Sequence, residues 1–365
     1  MAPHPDPIPR RTMLKYGLGT LAAVGAGGST VVLETTRASA DVVKASLFVV
    51  GGERTMIDGL VVPFVGFGSS PDRLELPSGQ LEVQTSDTVV IELKNNATLP
   101  VGFHIDAGAG FAGFDAPPLA VGSTRTLTFT APSKPGTYVY TGTVSGSVDT
   151  GRALGASGAL VVLPQGARNQ VDVLFPGVRA RARRQPLFGT GPAPTLPPVI
   201  VQERTWLFAE LNPATARDLA GGRVALPNDP EPEYFLINGL SGVLSVEDKS
   251  TNITGVAGGL GQPGDSTLVR MINTGRAPRS LHVHGNHFWV LSHPDTPYLV
   301  GAFKDTVRVP SGGVVEVLVP LETPPDSFPV VNEAQKYVIH DHIEMAQTAS
   351  GGHYPSGMVS ELLLD

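Results

Sequence analysis

Apolar and polar residues alternate in short runs along most of the chain, and turn-forming residues separate the runs. β-branched and aromatic residues fill the runs, whereas Gly, Pro, Asn and Asp occupy the breaks between them. This pattern predicts short strands joined by tight turns. The clearest runs are QLEVQTSDTVVIELKNN, GSTRTLTFTAP, GTYVYTGTV and GALVVLP in the first half, and RTWLFAEL, EYFLING, DSTLVRMINTG, SLHVHGNHFWVL, VRVPSGGVVEVLVPL and KYVIHDHIEMA in the second.

The alternating pattern is interrupted once, between residues 166 and 196, where Pro, Gly and Arg dominate. We predict a linker there between two domains, residues 41–165 and 197–365, each an all-β sandwich. A chain of 365 residues with 41% hydrophobic content has enough apolar side chains for two cores. With 43 Gly, 33 Pro and only 16% charged residues, the composition favours strands and turns over helical bundles.

The first 40 residues have the composition of an export segment. Arg10 and Arg11 precede a Gly- and Ala-rich apolar stretch that ends in Ala38, Ser39 and Ala40. This order is typical of a twin-arginine (Tat) signal peptide and predicts a periplasmic or secreted protein. A membrane anchor is the alternative, but Gly and Thr interrupt the stretch, which falls short of the ~20 strongly apolar residues of a span. We therefore expect no membrane span after cleavage.

The charge balance and the lack of cysteine exclude several kinds of function. The formal net charge is −7, and an acidic exported protein is a poor candidate for binding nucleic acid. The basic run RARARR lies in the predicted linker, where a solvated connection is its simplest interpretation. The absence of cysteine removes disulfides, thiolate metal sites and thiol nucleophiles from consideration.

Histidine is the residue type whose placement indicates chemistry. Seven of the nine histidines lie between residues 282 and 353, and four of them form two His-x-His pairs, His282 with His284 and His340 with His342. Alternate residues of a strand share one face, so each pair presents two imidazoles to the same side. If the two strands are neighbours, four imidazoles converge, and a shared metal explains them, copper(II) first and zinc second.

The segments RSLHVHGNHFWVL, KDTVRVPSGGVVEVLVPL and YVIHDHIEMA, followed by PSGM, resemble the C-terminal cupredoxin domain of multicopper oxidases. VGFHIDAGAG and KPGTYVYTGTVSG in the first half resemble the family's two remaining motifs, so the resemblance covers nearly all of residues 45 to 365. It implies two tandem cupredoxin-like Greek-key β-sandwiches, as in two-domain laccases and copper nitrite reductases. Those relatives are homotrimers with copper between domain one of one subunit and domain two of the next. The resemblance therefore implies a homotrimer.

The chain departs from the family at the blue, type 1 copper. The positions that match its histidine, cysteine and histidine ligands hold Arg279, Asp341 and Ala346, and only Met358 matches the axial methionine. One thioether cannot hold that ion alone. We predict that the type 1 centre is absent, together with the electron path through its cysteine, and that Asp341 forms a structural ion pair, with Arg279 as the candidate partner.

The oxygen-reducing copper cluster of the family is also depleted. Its second-domain positions match His282, His284, His340 and His342, but one first-domain pair becomes His104 and Asp106. The other first-domain pair becomes Thr141 and Thr143. The candidate metal ligands are therefore these four histidines with His104 and Asp106, a set that suits one or two ions rather than three.

Three functions remain open from the sequence. The first, which we favour, is a copper-dependent oxidoreductase that binds a small-molecule substrate directly at the histidine site. The second is a metal-binding protein without turnover, and the third is a copper-free pseudo-oxidase that serves as a scaffold. The residues give no catalytic acid, base or nucleophile motif of another class, and His287, His293 and His353 are interpreted as isolated structural histidines.

Overall fold

A computed structural model describes residues 30–31, 42–165, 169–182, 195–223, 226, 231–255, 261–262, 264–321, 335–349, 352 and 354–364. The predicted export segment lies outside the described residues except for Thr30–Val31, and so does His353. The strands are β1 (Thr30–Val31), β2 (Val42–Thr55), β3 (Val61–Gly68), β4 (Ser78–Gln84), β5 (Thr88–Asn95), β6 (Val101–Ile105), β7 (Phe114–Leu119), β8 (Thr124–Thr130), β9 (Gly136–Val144), β10 (Ser157–Leu163), β11 (Gln202–Leu211), β12 (Tyr234–Ile237), β13 (Thr267–Asn273), β14 (Arg279–Val283), β15 (Phe288–Ser292), β16 (Phe303–Lys304), β17 (Thr306–Val309), β18 (Val314–Val319), β19 (Gln335–Asp341) and β20 (Val359–Leu364).

Among the described residues, helices are few and short. They are α1 (Val148–Ala153), α2 (Val171–Leu174), α3 (Val178–Arg181), α4 (Pro213–Ala220), α5 (Val243–Val246) and two 3-10 turns, Pro297–Leu299 and Glu344–Gln347. Two of them, α2 and α3, lie in the described part of the predicted linker, where Arg179 pairs with Asp172 at 2.8 Å. Within the described part of the chain, no helix is long and apolar enough to cross a membrane.

The strands form four sheets, two in each half of the chain. The first half contains the orders β1-β4-β10-β9-β6-β7 and β3-β2-β5-β8, and the second half contains β12-β11-β13-β18-β15-β16 and β17-β14-β19-β20. Every run predicted from the sequence overlaps at least one of these strands. The all-β class with two tandem sandwiches is therefore confirmed.

Strand β11 joins the two cores because its side chains alternate between faces. Trp206 and Phe208 belong to the core enclosed by the second pair of sheets. Leu207 and Leu211, on the opposite face, pack into the larger core that extends from the first domain. A strand buried on both faces reads as a near-continuous apolar run, which is what RTWLFAEL is. The two sandwiches are thus packed against each other through apolar contact.

Candidate metal centre

The two His-x-His pairs lie on neighbouring antiparallel strands. In the register between β14 and β19, His282 is directly opposite His340, and Leu281 is opposite Asp341. Hydrogen bonds extend this register beyond both strand ends, from the His284 amide to the Val338 carbonyl and from the His342 amide to the Ser280 carbonyl. Side chains of the same parity share one face, so all four imidazoles project from one side of the sheet.

The four rings lie close together, and each contacts at least two of the others. The distances between ring centroids are 4.7 Å for His282 and His284, 4.8 Å for His282 and His342, 5.0 Å for His340 and His342, 5.2 Å for His284 and His340, and 5.7 Å for His282 and His340. The Nε2 atoms of His284 and His340 are 3.1 Å apart. We call these four side chains the histidine cluster.

Hydrogen bonds orient two members of the cluster. His282 Nδ1 lies 3.1 Å from the Asp305 carbonyl and 2.9 Å from the Thr306 hydroxyl, and His340 Nδ1 lies 3.1 Å from the Asp341 carbonyl. A carbonyl oxygen only accepts, so both Nδ1 atoms carry hydrogen and both Nε2 atoms keep a lone pair. His284 Nε2 is therefore the donor in its contact with His340. Two of the four rings already present a nitrogen that can bind a metal.

The cluster lies at the surface of the second domain. His284 and His342 are exposed, whereas His282 and His340 are half-buried. Burial lowers the pKa of His282, His284 and His340, and the neighbouring imidazoles lower it further. These three rings are therefore neutral at neutral pH, which is the form that binds metal ions.

The arrangement satisfies some requirements of a metal site and not others. Two nitrogens bound to one ion at about 2.0–2.1 Å are themselves about 3 Å apart, which matches the contact between His284 and His340. No group of three or more His, Cys, Asp or Glu side chains among the described residues is arranged to hold an ion. The fit therefore rests on the chemistry of the donor set, four imidazoles on paired strands, and not on the ring orientations of this structure. A set of four imidazoles suits copper, with zinc as the nearest competitor.

The residues that match the type 1 copper ligands include a buried ion network. Arg279 is 2% exposed and Asp341 is 0% exposed, with 3.6 Å between Nη1 and Oδ2. Arg279 Nη2 also donates to Glu210, and its guanidinium lies 5.1 Å from the ring centroid of Phe235. The predicted ion pair between Arg279 and Asp341 is confirmed, and Glu210 joins it.

The remaining positions around this network are also filled. Asp341 Oδ1 accepts from the amides of Ser280 and Ile343 at 3.0 and 2.9 Å. Ala346 and Met358 are buried in the second core, where the Met358 amide donates to the Ala346 carbonyl at 2.7 Å. These residues leave neither a thiolate nor an imidazole for a blue copper ion, so a type 1 centre does not fit this chain.

The first-domain candidates belong to a separate ionic chain. His104 Nδ1 lies 2.6 Å from Asp115 and Nε2 lies 3.1 Å from Asp106, whose carboxylate pairs with Arg152 at 3.1 Å. Thr141 is the strand partner of His104, and its hydroxyl lies 3.1 Å from Ser157. The described contacts place His104 and Asp106 together, but none of them reaches the histidine cluster.

Sequence reasoning missed four residues that hold the candidate site residues in place. They are Glu210, Asp115, Arg152 and Thr306. Thr306 and Asp115 occupy strands directly beside a candidate histidine, which only the register reveals. Glu210 lies on β11, in the opposite sheet, where no local pattern indicates a partner for Arg279.

Comparisons with known proteins agree with this architecture. Residues 74–167 match one sequence model described as multicopper oxidase, and residues 254–357 match a second with the same description. No curated protein matches the chain.

Solved structures share the fold at low sequence identity. The multicopper oxidase mgLAC is 20% identical with a TM-score of 0.61, covering 89% of this chain and 86% of its own. A blue copper oxidase from Nitrosomonas europaea is 17% identical with a TM-score of 0.61, covering 88% and 85%. A copper nitrite reductase from the same organism is 18% identical with a TM-score of 0.57, covering 89% and 94%.

Both halves of the chain thus carry cupredoxin-like sandwiches, and the cysteine that would ligate a type 1 copper is missing from the whole sequence. The two matched ranges together make up more than half of the 365 residues, and the chain belongs to the multicopper oxidase family.

Proposed function

We propose that the protein binds one copper ion at the histidine cluster and acts as a copper-dependent oxidoreductase at that ion. The observation that carries the proposal is the convergence of four imidazoles on paired strands, with the Nε2 atoms of His284 and His340 3.1 Å apart. Four imidazoles crowded without an ion gain little from their proximity. If all four rings bound one ion, their close spacing would be the spacing that the ion requires.

Each residue has a definite part in this proposal. His282 and His340 present Nε2 lone pairs, since their Nδ1 hydrogens are held by carbonyl oxygens. His284 gives up the hydrogen that it shares with His340, and exposed His342 completes the set. Copper bound there would supply one-electron redox chemistry.

A substrate would have to approach the cluster itself. In the family, electrons enter at the type 1 copper, and here that position is taken by Arg279, Asp341 and Glu210. The exposure of His284 and His342 supports direct access from solvent. The proposed substrate is a small molecule that meets the ion without an intervening relay.

A non-catalytic metal-binding protein is the second candidate. The filled type 1 position favours it, since a site without a relay can store or transfer an ion without turning over substrate. An assay for the oxidation of phenols and ascorbate in air distinguishes the two candidate functions. An oxidoreductase should form more than one product molecule per bound copper ion, and a His340→Ala variant should form none. Tight binding with no turnover would favour the second candidate.

Export and assembly complete the proposal. We propose that residues 1–40 direct the chain through the Tat pathway to the periplasm or the exterior, and that the mature protein is a homotrimer. In such a trimer, His104 and Asp106 of one subunit would face the histidine cluster of the next. The position of the cluster at the domain surface supports this arrangement.

Copper binding should depend on pH in a direction set by the lowered pKa values. Protons compete with copper for imidazole nitrogens, and a lowered pKa keeps the ring neutral to a lower pH. We expect copper to remain bound as the pH falls through the ordinary histidine pKa of about 6.5, and to dissociate only below it. Copper content after dialysis across a pH series measures this, and release already above pH ~6.5 would contradict it.

Trimer formation should raise copper affinity if neighbouring subunits contribute to the site. We expect sedimentation as a trimer, and weaker copper binding at protein concentrations low enough to give monomers. Sedimentation velocity combined with chelator competition across a dilution series measures both quantities. A monomer that holds copper as tightly as the trimer would refute the shared site.

A further inference from the structure

We propose that Thr306 is the positioning residue that fixes His282 for metal binding. The inference rests on the proposed copper site and goes beyond the ligands themselves. Thr306 opens β17 and is the direct strand partner of His282. Its hydroxyl lies 2.9 Å from His282 Nδ1, and the Thr306 side chain is half-buried.

The hydrogen-bond pattern fixes which ring nitrogen of His282 is protonated. The Asp305 carbonyl, 3.1 Å from Nδ1, accepts only, so Nδ1 carries the hydrogen. The Thr306 hydroxyl then accepts from the same N–H. With Nδ1 held on this side, Nε2 keeps its lone pair and points away from β17, and the ring stays in contact with His284 and His342.

The hydroxyl matters more than the carbonyl for this orientation. The Asp305 carbonyl already accepts from the Val283 amide at 2.9 Å as part of the strand pairing. The Asp305 carboxylate is 3.9 Å from Nδ1 and half-exposed, which is beyond hydrogen-bond distance. The Thr306 hydroxyl therefore lies closer to Nδ1 than the Asp305 carbonyl does, and it accepts no other described hydrogen bond.

Among the described residues, no equivalent side chain contacts the other cluster members. His340 Nδ1 is held by the carbonyl of its own chain neighbour, Asp341, and His284 contacts His340. Among the described contacts of the cluster, the Thr306 hydroxyl is the one hydrogen-bonding side chain that is not itself a histidine. Partners of this kind hold ligating histidines in orientation, and their loss typically lowers metal affinity about 10–100-fold.

The experiment compares Thr306→Val with Thr306→Ser in the full mature chain. Valine keeps the branched shape and the strand preference but removes the hydroxyl, whereas serine keeps the hydroxyl. Thr267→Val is the matched control, because the Thr267 hydroxyl is buried and has no hydrogen-bond partner in the part of the chain that the structure describes. Copper affinity is measured by chelator competition, and the His282 tautomer by 15N NMR of the metal-free protein.

We expect Thr306→Val to bind copper at least about tenfold more weakly, with Thr306→Ser and Thr267→Val within about threefold of wild type. The 15N signals of the His282 ring should move toward a mixture of the two tautomers in Thr306→Val alone, because the Asp305 carbonyl that remains also accepts from the Val283 amide. Unchanged affinity and tautomer in Thr306→Val would overturn the inference. If wild type binds no copper, the proposed function fails, and the tautomer measurement still decides the role of Thr306.

Discussion

A variant with His282→Ala and His340→Ala is expected to lose copper binding. The two residues face each other in the strand register and are the rings whose Nε2 lone pairs are already available. Removing two of four ligands should lower affinity by more than the roughly hundredfold effect of losing a supporting hydrogen bond. Copper should therefore raise the thermal stability of wild type and leave the melting temperature of the double variant unchanged.

The control for this variant is His287→Ala. His287 stacks on Phe303 at a centroid distance of 5.3 Å and has no described contact with the histidine cluster. It should bind copper as wild type does. A double variant that keeps its copper, or a control that loses it equally, would place the site elsewhere in the chain.

Replacing Arg279 with alanine should destabilise the second domain by about 3–5 kcal/mol. Arg279 is 2% exposed, and it neutralises Asp341 at 0% and Glu210 at 11% exposure. Without the guanidinium, two carboxylates remain in the interior without a counter-charge, and the space next to Phe235 is left unfilled. Urea denaturation of the metal-free protein measures the loss.

Arg308→Ala is the matched control, because it removes an arginine from an exposed ion pair instead of a buried one. Arg308 pairs with Asp295 at 3.1 Å, but both side chains are about half exposed, so its loss should change stability by no more than about 1 kcal/mol. Adding Asp341→Asn to Arg279→Ala should recover part of the loss, because the amide keeps an oxygen acceptor and removes the buried charge. Equal stability of the Arg279→Ala and Arg308→Ala variants would contradict the buried network.

The sequence was sufficient to predict the elements that depend on local pattern. Alternating apolar residues predicted the positions of the strands. The run RTWLFAEL, which packs on both faces, differs from the other runs by its more continuous apolar stretch. The His-x-His spacing predicted two rings on one face of each strand. That β14 and β19 are neighbours is a property of the sheet order, which the sequence analysis left as a condition and the register shows.

The partners of the site residues could not be predicted, because they come from distant parts of the chain. Glu210 reaches Arg279 across the sandwich, 69 positions away in sequence. Asp115 and Thr306 are strand neighbours of histidines, and their roles depend on a register that one slipped residue would reverse. Arg152 holds Asp106 from a short helix that follows β9. The sequence shows the chemistry of each side chain, but it does not show which side chains contact one another.

The proposed copper site is tested most directly by the metal content of the folded protein, with electron paramagnetic resonance of any copper found. We expect about one copper per chain, bound by imidazole nitrogen without thiolate, with a type 2 spectrum and no blue absorption. Folded protein that contains no metal and takes up none when copper is added would contradict it.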